Sequence, residues 1–270
     1  MLTIILFLGL SLLSGGLFCA LAQAPIWQGF LLFLGVFVGL HVLYILFFYF
    51  GSLSSDNKKP LSKQNKISRM ACGQLIGLAN VYMAVRAHII NEDILPKDQR
   101  FLLVCNHRTC VDPLIIMDKL RKYNISFISK PSNMEMPFAG RIAYGAGFLP
   151  IDRENNRNAL KTILTAADYI KRDICSMAVY PEGTRSRTNE LLPFHAGSFK
   201  IAQKAGCPLV ICSVWGVEKL RFWRYIKGND VYLKVLDVLP AEKVKAMSTG
   251  ELADYSRNII EESLKEVENV

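Results

Sequence analysis

The first 55 residues contain no Asp, Glu, Lys or Arg, and the first charged residue is Asp56. Two long apolar runs fill this stretch, at about residues 2–22 and 26–50. Each has roughly the 20 residues that a helix needs to cross a bilayer. A short link with Trp27, a residue type common at membrane interfaces, separates the runs. The sequence therefore predicts a hydrophobic two-helix membrane hairpin over residues 1–51, either crossing the bilayer or sunk in one leaflet.

The first apolar run also has features of a cleaved signal peptide, since Ala20, Ala22 and Ala24 provide small residues for a cleavage site. No basic residue follows Met1, and a second, longer run comes directly afterwards, so the hairpin is favoured. A basic cluster follows the second run and consists of Lys58, Lys59, Lys63, Lys66 and Arg69. The positive-inside rule places this flank, and the domain after it, on the cytoplasmic side of the cell membrane.

Composition leaves several partners open. The 270 residues include 32 Lys and Arg against 23 Asp and Glu, which gives a net charge of +9. Positive charge favours nucleic acid, anionic lipid headgroups or phosphorylated substrates, without choosing among them. The seven cysteines include no C-x-x-C pair, so zinc ribbons and thioredoxin-type redox motifs lack support. An odd number of cysteines without a framework fits a reducing compartment.

After a linker and amphipathic connection assigned to residues 52–80, short apolar runs alternate with longer helical patterns. The predicted strands cover residues 100–105, 125–129, 147–151, 176–180, 208–215 and 231–238. The predicted helices cover residues 112–122, 135–143, 157–171, 196–204 and 250–267. This alternation predicts an α/β domain over residues 81–270, with a largely parallel sheet flanked by helices. The active site of such a domain lies beyond the carboxyl ends of the strands.

The first candidate motif follows the strand at 100–105 and reads Asn106-His107-Arg108-Thr109-Cys110-Val111-Asp112-Pro113. Asp112 and Pro113 suit the start of a helix, which is an ordinary explanation for the carboxylate. His107 lies five residues earlier, in the turn, where it could fold back towards Asp112. A histidine held by an aspartate is the usual arrangement of a general base, although H-x4-D alone is a weak pattern.

Cations follow three other predicted strands. The segment after the strand at 176–180 reads Pro181-Glu182-Gly183-Thr184-Arg185-Ser186. Gly183 permits an unusual backbone dihedral or the close approach of a ligand, and Arg185 has a planar fork suited to phosphate. Arg153 and Lys130 follow the strands at 147–151 and 125–129 in the same manner. Each of these residues alone is also explained by a polar turn or a solvated side chain, but together they could converge on one anion.

In this order and spacing, the blocks closely resemble the lysophosphatidate acyltransferase family of the glycerolipid acyltransferases. The matching blocks are residues 106–112 (N-H-x4-D), 147–153, 180–186 (P-E-G-T-R-S) and the apolar block 207–214 around Pro208. The resemblance covers about residues 95–216, and a hydrophobic hairpin is common in bacterial members. One departure is the stretch at 194–197, where His195 stands in place of a more basic Phe-Lys-x-Gly pattern.

The resemblance implies a 1-acylglycerol-3-phosphate O-acyltransferase of phospholipid biosynthesis. Such an enzyme moves a fatty acyl group from acyl-CoA or acyl carrier protein to the free sn-2 hydroxyl of lysophosphatidate, giving phosphatidate. His107 would be the general base and Asp112 its orienting partner. The implied substrate-binding residues are Asn106, Arg108, Lys130, Arg153, Glu182, Gly183, Thr184 and Arg185, with Glu182 positioning Arg185.

The same resemblance sets the expected partners and the remaining groups of the site. The partners would be the lipid bilayer, a lysophospholipid acceptor and the thioester donor, and no metal or other cofactor would be required. Backbone N–H groups near Thr109 or Gly183 are candidate donors to the oxyanion. Cys110 fills a wildcard position and is interpreted as a small, partly buried filler, so transfer would be direct, without an acyl-enzyme.

Alternatives remain at this point. The acceptor could be glycerol 3-phosphate or a lysophospholipid with a larger headgroup. A thioesterase or lipase with Cys110 or Ser186 as nucleophile is an alternative of another class, although the chain has no G-x-S-x-G elbow. A non-enzymatic, membrane-anchored binder of phospholipid or nucleic acid would explain the charge but leave the His107–Asp112 pair without a use. No aromatic-basic nucleic-acid motif is evident.

Overall fold

The computed structural model describes residues 2–55, 59–186, 190–220 and 228–268. The chain divides into two units, Met1–Ser54 and Ser55–Val270. Lys58 of the basic cluster lies outside the described residues, whereas the other four members of that cluster lie in the second unit.

The first unit is a pair of helices, α1 (Leu2–Ala22) and α2 (Ile26–Ser52). Both are long and apolar enough to cross a membrane. The two helices approach closely where glycines face each other: a Cβ atom added to Gly15 would lie 2.5 Å from the carbonyl oxygen of Gly29. Small residues allow such close helix packing in membranes. The predicted hydrophobic hairpin is thus confirmed.

The second unit contains one mixed sheet with helices around it. Its strands are β1 (Val85–Ile90), β2 (Leu102–Cys105), β3 (Ile125–Ser129), β4 (Leu149–Pro150), β5 (Ser176–Val179), β6 (Leu209–Trp215) and β7 (Asn229–Leu239). Its helices are α3 (Lys66–Tyr82), α4 (Asp112–Lys119), α5 (Pro131–Glu135), α6 (Ala139–Gly145), α7 (Asn156–Lys171), α8 (Lys200–Ala205), α9 (Ala241–Ala246) and α10 (Thr249–Glu268).

The strand order is β1-β7-β6-β2-β5-β3-β4. Strands β6 and β7 pair antiparallel, and the other neighbours pair parallel. Every residue of β2 and of β5 is buried, as expected for central parallel strands covered on both faces. The predicted α/β class with a largely parallel sheet is confirmed. Strands β2, β5, β3 and β4 are neighbours, so their carboxyl ends meet along one edge of the sheet.

Several predicted elements need correction. The helix predicted at 135–143 is wrong: α5 ends at Glu135, and α6 begins at Ala139, after Phe138 with a φ of +64°. Pro137 explains the break, because the residue before a proline avoids the helical region. The helix predicted at 112–122 ends at Lys119, and a short 3₁₀ turn, Arg121–Tyr123, follows it.

Several elements of the second unit were not predicted: helix α3 lies mostly in the stretch assigned to a linker and amphipathic connection, all of α5 except Glu135 precedes the helix predicted at 135–143, and strand β1 and helix α9 were missed. Strand β1 escapes a search for apolar runs because it alternates, with Arg86 and His88 exposed. It is held by parallel pairing with β7, more than 130 residues further along the chain, where Val85 faces Asn229. Helix α9 was also missed, since it is short and rich in charged residues.

Candidate active site

The functional residues lie where the carboxyl ends of four adjacent strands meet. The segment with His107 follows β2, and the segment with Arg185 follows β5. Lys130 follows β3, and Arg153 follows β4. The edge beyond the carboxyl ends is the usual ligand site of a parallel sheet, because the connecting loops converge there. The sequence prediction that these blocks converge is confirmed.

His107 and Asp112 form a hydrogen-bonded pair, with 2.8 Å between Nδ1 of His107 and Oδ2 of Asp112. The same Oδ2 accepts the backbone N–H groups of Arg108 at 2.7 Å and Thr109 at 2.9 Å. The Thr109 hydroxyl donates to Oδ1 at 2.8 Å. An oxygen that accepts two backbone N–H groups is an acceptor for Nδ1–H as well, so the bond fixes the tautomer in which the neutral ring has its proton on Nδ1 and its lone pair on Nε2. The pairing predicted from H-x4-D is therefore present.

Thr109 is a site residue that the sequence interpretation undervalued. Its hydroxyl and its backbone N–H both bind the Asp112 carboxylate, which is completely buried. The backbone N–H of Thr109 is consequently not available to an oxyanion. The N–H of Gly183 is also used, since it donates to the Tyr180 carbonyl at 3.0 Å. The N–H groups of Thr109 and Gly183 themselves are thus used within the protein, and the prediction of an oxyanion donor near these two residues stays a prediction.

The imidazole of His107 stacks on the ring of Tyr180, with 4.0 Å between ring centroids and 11° between planes. Phe127 stacks on Tyr180 in turn, at 5.6 Å and 23°. Burial raises the pKa of the Tyr180 hydroxyl well above its usual value, and the charge of Asp112 raises it further. Tyr180 therefore presents a neutral aromatic plate to His107. This contact fixes the plane of the imidazole in addition to its tautomer.

Glu182 ties two loops together. Its Oε1 accepts the backbone N–H of His107 at 2.6 Å, and its Oε2 accepts that of Leu192 at 3.0 Å. Burial raises the pKa of this carboxyl group, although the two N–H donors oppose the effect. The expectation that Glu182 binds substrate and positions Arg185 is corrected: the carboxylate is 3% exposed and holds the backbone of the His107 loop. Ser186 adds a second link by donating its N–H to the His107 carbonyl.

Asn106 is also a scaffold residue. Its side chain is completely buried, donates to the Val214 carbonyl at 2.9 Å and accepts the Val214 N–H at 2.8 Å. These bonds attach the end of β2 to β6, so the predicted substrate-binding role of Asn106 is corrected. Arg108 donates its backbone N–H to Asp112. It is not among the described residues that line the cavity beside His107.

A cavity of about 710 Å³ opens beside His107. One part of its lining is cationic or polar and includes Lys130, Arg153, Gly183, Thr184, Arg185, His195 and Lys200. Another part is apolar and includes Phe127, Phe148, Ile151, Leu160, Ile163, Val179 and Ile201. The predicted residues Lys130, Arg153, Gly183, Thr184 and Arg185 are therefore brought together. The cavity suits a ligand with a phosphate at one end and a hydrocarbon chain at the other.

His195 and Lys200 are cavity residues that were not predicted as site residues. Gly183 explains the position of His195: its φ is +72°, and an added Cβ would lie 3.0 Å from Nε2 of His195 and 4.0 Å from Nε of Arg153. A side chain at position 183 would displace His195, so only glycine lets these two nitrogens approach one point. The sequence did contain a signal for His195. This residue stands where the Phe-Lys-x-Gly pattern has a lysine, so the position keeps a nitrogen-bearing side chain of a different type.

The two candidate nucleophiles differ in their surroundings. Cys110 lines the cavity but is exposed, so its description as a partly buried filler is corrected. Ser186 is buried, and its hydroxyl donates to the Glu190 carbonyl at 2.7 Å. Nδ1 of His107 already binds Asp112, the Ser186 hydroxyl donates to Glu190, and no hydrogen bond joins the His107 ring to the Cys110 thiol or the Ser186 hydroxyl within the described residues. The arrangement therefore does not resemble a nucleophile activated by a base.

Comparisons with known proteins agree with this geometry. A family model described as Acyltransferase matches residues 86–215, a range that contains every cavity cation named above. The 1-acyl-sn-glycerol-3-phosphate acyltransferase of Haemophilus influenzae is 30% identical over 183 residues, 66% of this chain and 75% of that protein. Its Escherichia coli counterpart is 30% identical over 171 residues, 62% of this chain and 68% of that protein.

Two further similarities extend the comparison. A putative 1-acyl-sn-glycerol-3-phosphate acyltransferase of Caenorhabditis elegans is 30% identical over 169 residues, 62% of this chain and 60% of that protein. The crystal structure of a 1-acyl-sn-glycerophosphate acyltransferase from Thermotoga maritima superposes with a TM-score of 0.61 at 21% identity. The match covers 96% of this chain and 95% of that one, and it establishes the shared fold.

Proposed function

The chain belongs to the 1-acyl-sn-glycerol-3-phosphate acyltransferase family, and we propose that it acylates the free sn-2 hydroxyl of lysophosphatidate, giving phosphatidate. The acyl donor would be a thioester, either acyl-CoA or acyl-carrier protein. The observation that supports this proposal best is the position of His107. Its Nδ1 is held by Asp112, its Nε2 has no hydrogen-bond partner among the described residues, and its ring lines the cavity that contains both cations and apolar side chains.

The proposed reaction is a direct transfer. Nε2 of His107 takes the proton of the sn-2 hydroxyl while the hydroxyl oxygen bonds to the thioester carbonyl carbon. The C–S bond then breaks, and the departing thiolate takes the proton back from Nε2. Asp112 stabilises the imidazolium that exists between these events, and its four hydrogen bonds keep it in place. Neither a metal nor a covalent intermediate is needed.

The substrates fit the two parts of the cavity. Arg185, Arg153 and Lys130 would bind the phosphate of the acceptor, since Arg offers a planar fork that matches phosphate oxygens. The apolar lining, with Phe148 and Ile163, would contact an acyl chain. The charge arrangement favours an acceptor with an unsubstituted phosphate over one with a larger headgroup, because such a phosphate carries more negative charge for the three cations.

One assay tests this proposal. Purified full-length protein is given labelled acyl-CoA together with lysophosphatidate, glycerol 3-phosphate, lysophosphatidylcholine or lysophosphatidylglycerol, and the products are identified by mass spectrometry. We expect phosphatidate from lysophosphatidate as the main product. Rapid acylation of glycerol 3-phosphate, or preference for a larger headgroup, would show that another acceptor is the substrate. Hydrolysis of the thioester without transfer would indicate a thioesterase.

We also propose that the catalytic domain faces the cytoplasm. The support is the basic flank after α2, where the described members are Lys59, Lys63, Lys66 and Arg69. A cysteine-free variant with one new cysteine at Asn155, the exposed residue before α7, should resist a membrane-impermeant thiol reagent in intact cells. It should react after permeabilisation. Labelling of intact cells would contradict this topology.

A further inference from the structure

A second cavity, of about 320 Å³, lies between α3 and α4, and it shares no lining residue with the active-site cavity. Its charged lining residues are Lys66 and Arg69 of α3 and Arg121 of the 3₁₀ turn after α4. Within the described part of the chain, no acidic side chain lines it. The volume falls in the range of roughly 300–1,000 Å³ that is usual for ligand sites. We call this cavity the basic pocket.

The protein compensates little of the positive charge in the basic pocket. Arg121 pairs with Asp118 at 2.8 Å and also donates to the Gly73 carbonyl at 3.2 Å. Arg69 donates to the Ile125 carbonyl at 2.8 Å, and neither it nor Lys66 has a carboxylate partner among the described residues. A largely buried cation without a carboxylate is costly, so an anion entering the pocket would be stabilised.

The cations of this region lie close enough to affect one another. Burial is the main cause that lowers the pKa of Arg69; the thiols of Cys72 and Cys175 act in the opposite direction, and the positive charges of Arg121 and Arg100 lower the pKa further. The guanidinium of Arg121 packs against α3 at Gly73, where an added Cβ would be in ordinary van der Waals contact, 3.7 Å from the Arg121 Cζ. The fold thus concentrates cations from two helical segments around one opening.

The surface of α3 indicates which anion would enter. Met70, Leu75 and Val81 are 46%, 47% and 49% exposed, which is unusual for large apolar side chains on one helix. Met70 also lines the basic pocket, next to Lys66 and Arg69. A helix that exposes apolar side chains beside cations is suited to the headgroup region of a bilayer, where both types of side chain find partners. The chemistry therefore favours a lipid phosphate over a small anion in solution.

We propose that the basic pocket binds the headgroup phosphate of an anionic membrane phospholipid. Lys66, Arg69 and Arg121 contact the phosphate, and Met70 contacts the start of the lipid chains. This lipid is not the acceptor substrate, because the pocket is separate from the cavity beside His107. Occupancy neutralises the cationic group and stabilises the packing of α3 against α4.

The test measures lipid binding through thermal unfolding, independently of enzyme activity. Full-length protein in a neutral detergent is mixed with dioctanoyl phosphatidylglycerol, dioctanoyl phosphatidylcholine or inorganic phosphate. A ligand that binds only the native state raises the unfolding temperature. We expect a rise of about 2–4 °C with phosphatidylglycerol, which decreases at high salt, and almost none with the other two additions.

Matched variants locate the binding. The double variant Lys66→Gln/Arg121→Gln should lose the rise, and Lys66→Gln alone, at an exposed position without a described partner, should lose part of it. Lys171→Gln/Lys204→Gln, which removes two exposed lysines elsewhere, should keep it. Arg185→Gln should also keep it, because Arg185 lies in the other cavity.

Several results would overturn the proposal. An equal rise with phosphatidylcholine would indicate a general lipid effect, and a rise with inorganic phosphate alone would indicate a soluble anion as ligand. A rise that persists when Lys66 and Arg121 are replaced, or that disappears in Arg185→Gln, would place the binding outside the basic pocket. If the double variant does not fold, Lys66→Gln decides the question, and an unchanged rise in that variant counts against the proposal.

Discussion

The loop that holds His107 and the cations across the cavity are built in opposite ways. Asn106, Asp112 and Glu182, which hold the loop, are 0%, 0% and 3% exposed, and each has hydrogen bonds to the protein. Lys130, Arg153, Arg185 and Lys200 are exposed and line the cavity, and none of their side chains makes a hydrogen bond or ion pair with another described residue. The His107 loop is thus fixed by bonds within the protein, whereas the cations across the cavity keep their hydrogen-bond donors for a ligand.

This difference teaches what each region contributes. A base must be held in one tautomer and one orientation before the substrate arrives, since any reorganisation during the reaction raises the barrier. Cations that bind a mobile phosphate gain from keeping their donors unpaired. Changes in the His107 loop should therefore lower kcat, and changes among the cations should mainly raise KM for the acceptor.

The largest effect is expected from His107→Ala. Removal of a general base commonly costs about 10² to 10⁴ in rate, and Asp112 would keep its three other hydrogen bonds. Turnover with saturating substrates should fall by that factor while the unfolding temperature changes little. His88→Ala is the matched control, because His88 is a half-exposed residue of β1 that pairs with Asp230 away from the cavity. Near-normal turnover by folded His107→Ala protein would remove His107 from the mechanism.

Arg185→Ala should show the opposite kinetic pattern. We expect a rise of at least tenfold in KM for lysophosphatidate, with a much smaller change in KM for acyl-CoA, because the guanidinium is proposed to bind the phosphate and not the thioester. Arg185→Lys should recover part of the loss, since a single ammonium keeps the charge but not the fork. Separate KM and kcat values for both substrates are required. An effect confined to the acyl donor would contradict the assigned phosphate site.

Two variants of Tyr180 test whether its stacking on His107 helps to hold the imidazole in place. Tyr180→Phe keeps the ring and removes a buried hydroxyl that has no described partner, so turnover and stability should stay near the original values. Tyr180→Leu removes the stacking, which is worth about 0.5–1.5 kcal/mol, and should lower kcat by up to about tenfold. Equal kcat values in the two variants, at similar stability, would show that the stack has no role in positioning His107.

The smallest effect is expected from Cys110→Ala. The thiol lines the cavity and is exposed, but the proposed transfer does not use it. Most activity should remain, and initial-rate lines should intersect because both substrates must be bound together. Parallel lines, or an acyl-enzyme that forms without acceptor and disappears in Cys110→Ala, would establish a covalent mechanism instead.

Local sequence patterns were sufficient for the elements whose stabilising contacts are nearby or repetitive. The uncharged N-terminal stretch predicts two apolar helices, and the structure has two in that place, both long and apolar enough to cross a membrane. Strand β3, predicted at 125–129, has those limits in the structure, where its first four residues are buried and it pairs with β5 on one side and β4 on the other. Helix α7 has an asparagine cap and a clear amphipathic pattern, so its limits differ from the prediction by one residue.

The sequence by itself determined the hairpin, the α/β class and the pairing of His107 with Asp112, since that pair is five residues apart and is closed by a single turn. Only the tertiary structure decided which motif residues face the ligand. Glu182 and Asn106 look like binding residues in the sequence, yet they bond to His107 and Val214, which lie 75 and 108 residues away. His195 and Arg153 both lie beside Gly183, where an added Cβ would come within 3.0 Å of one and 4.0 Å of the other. Such contacts depend on how strands are ordered in the sheet, and no local pattern encodes that order.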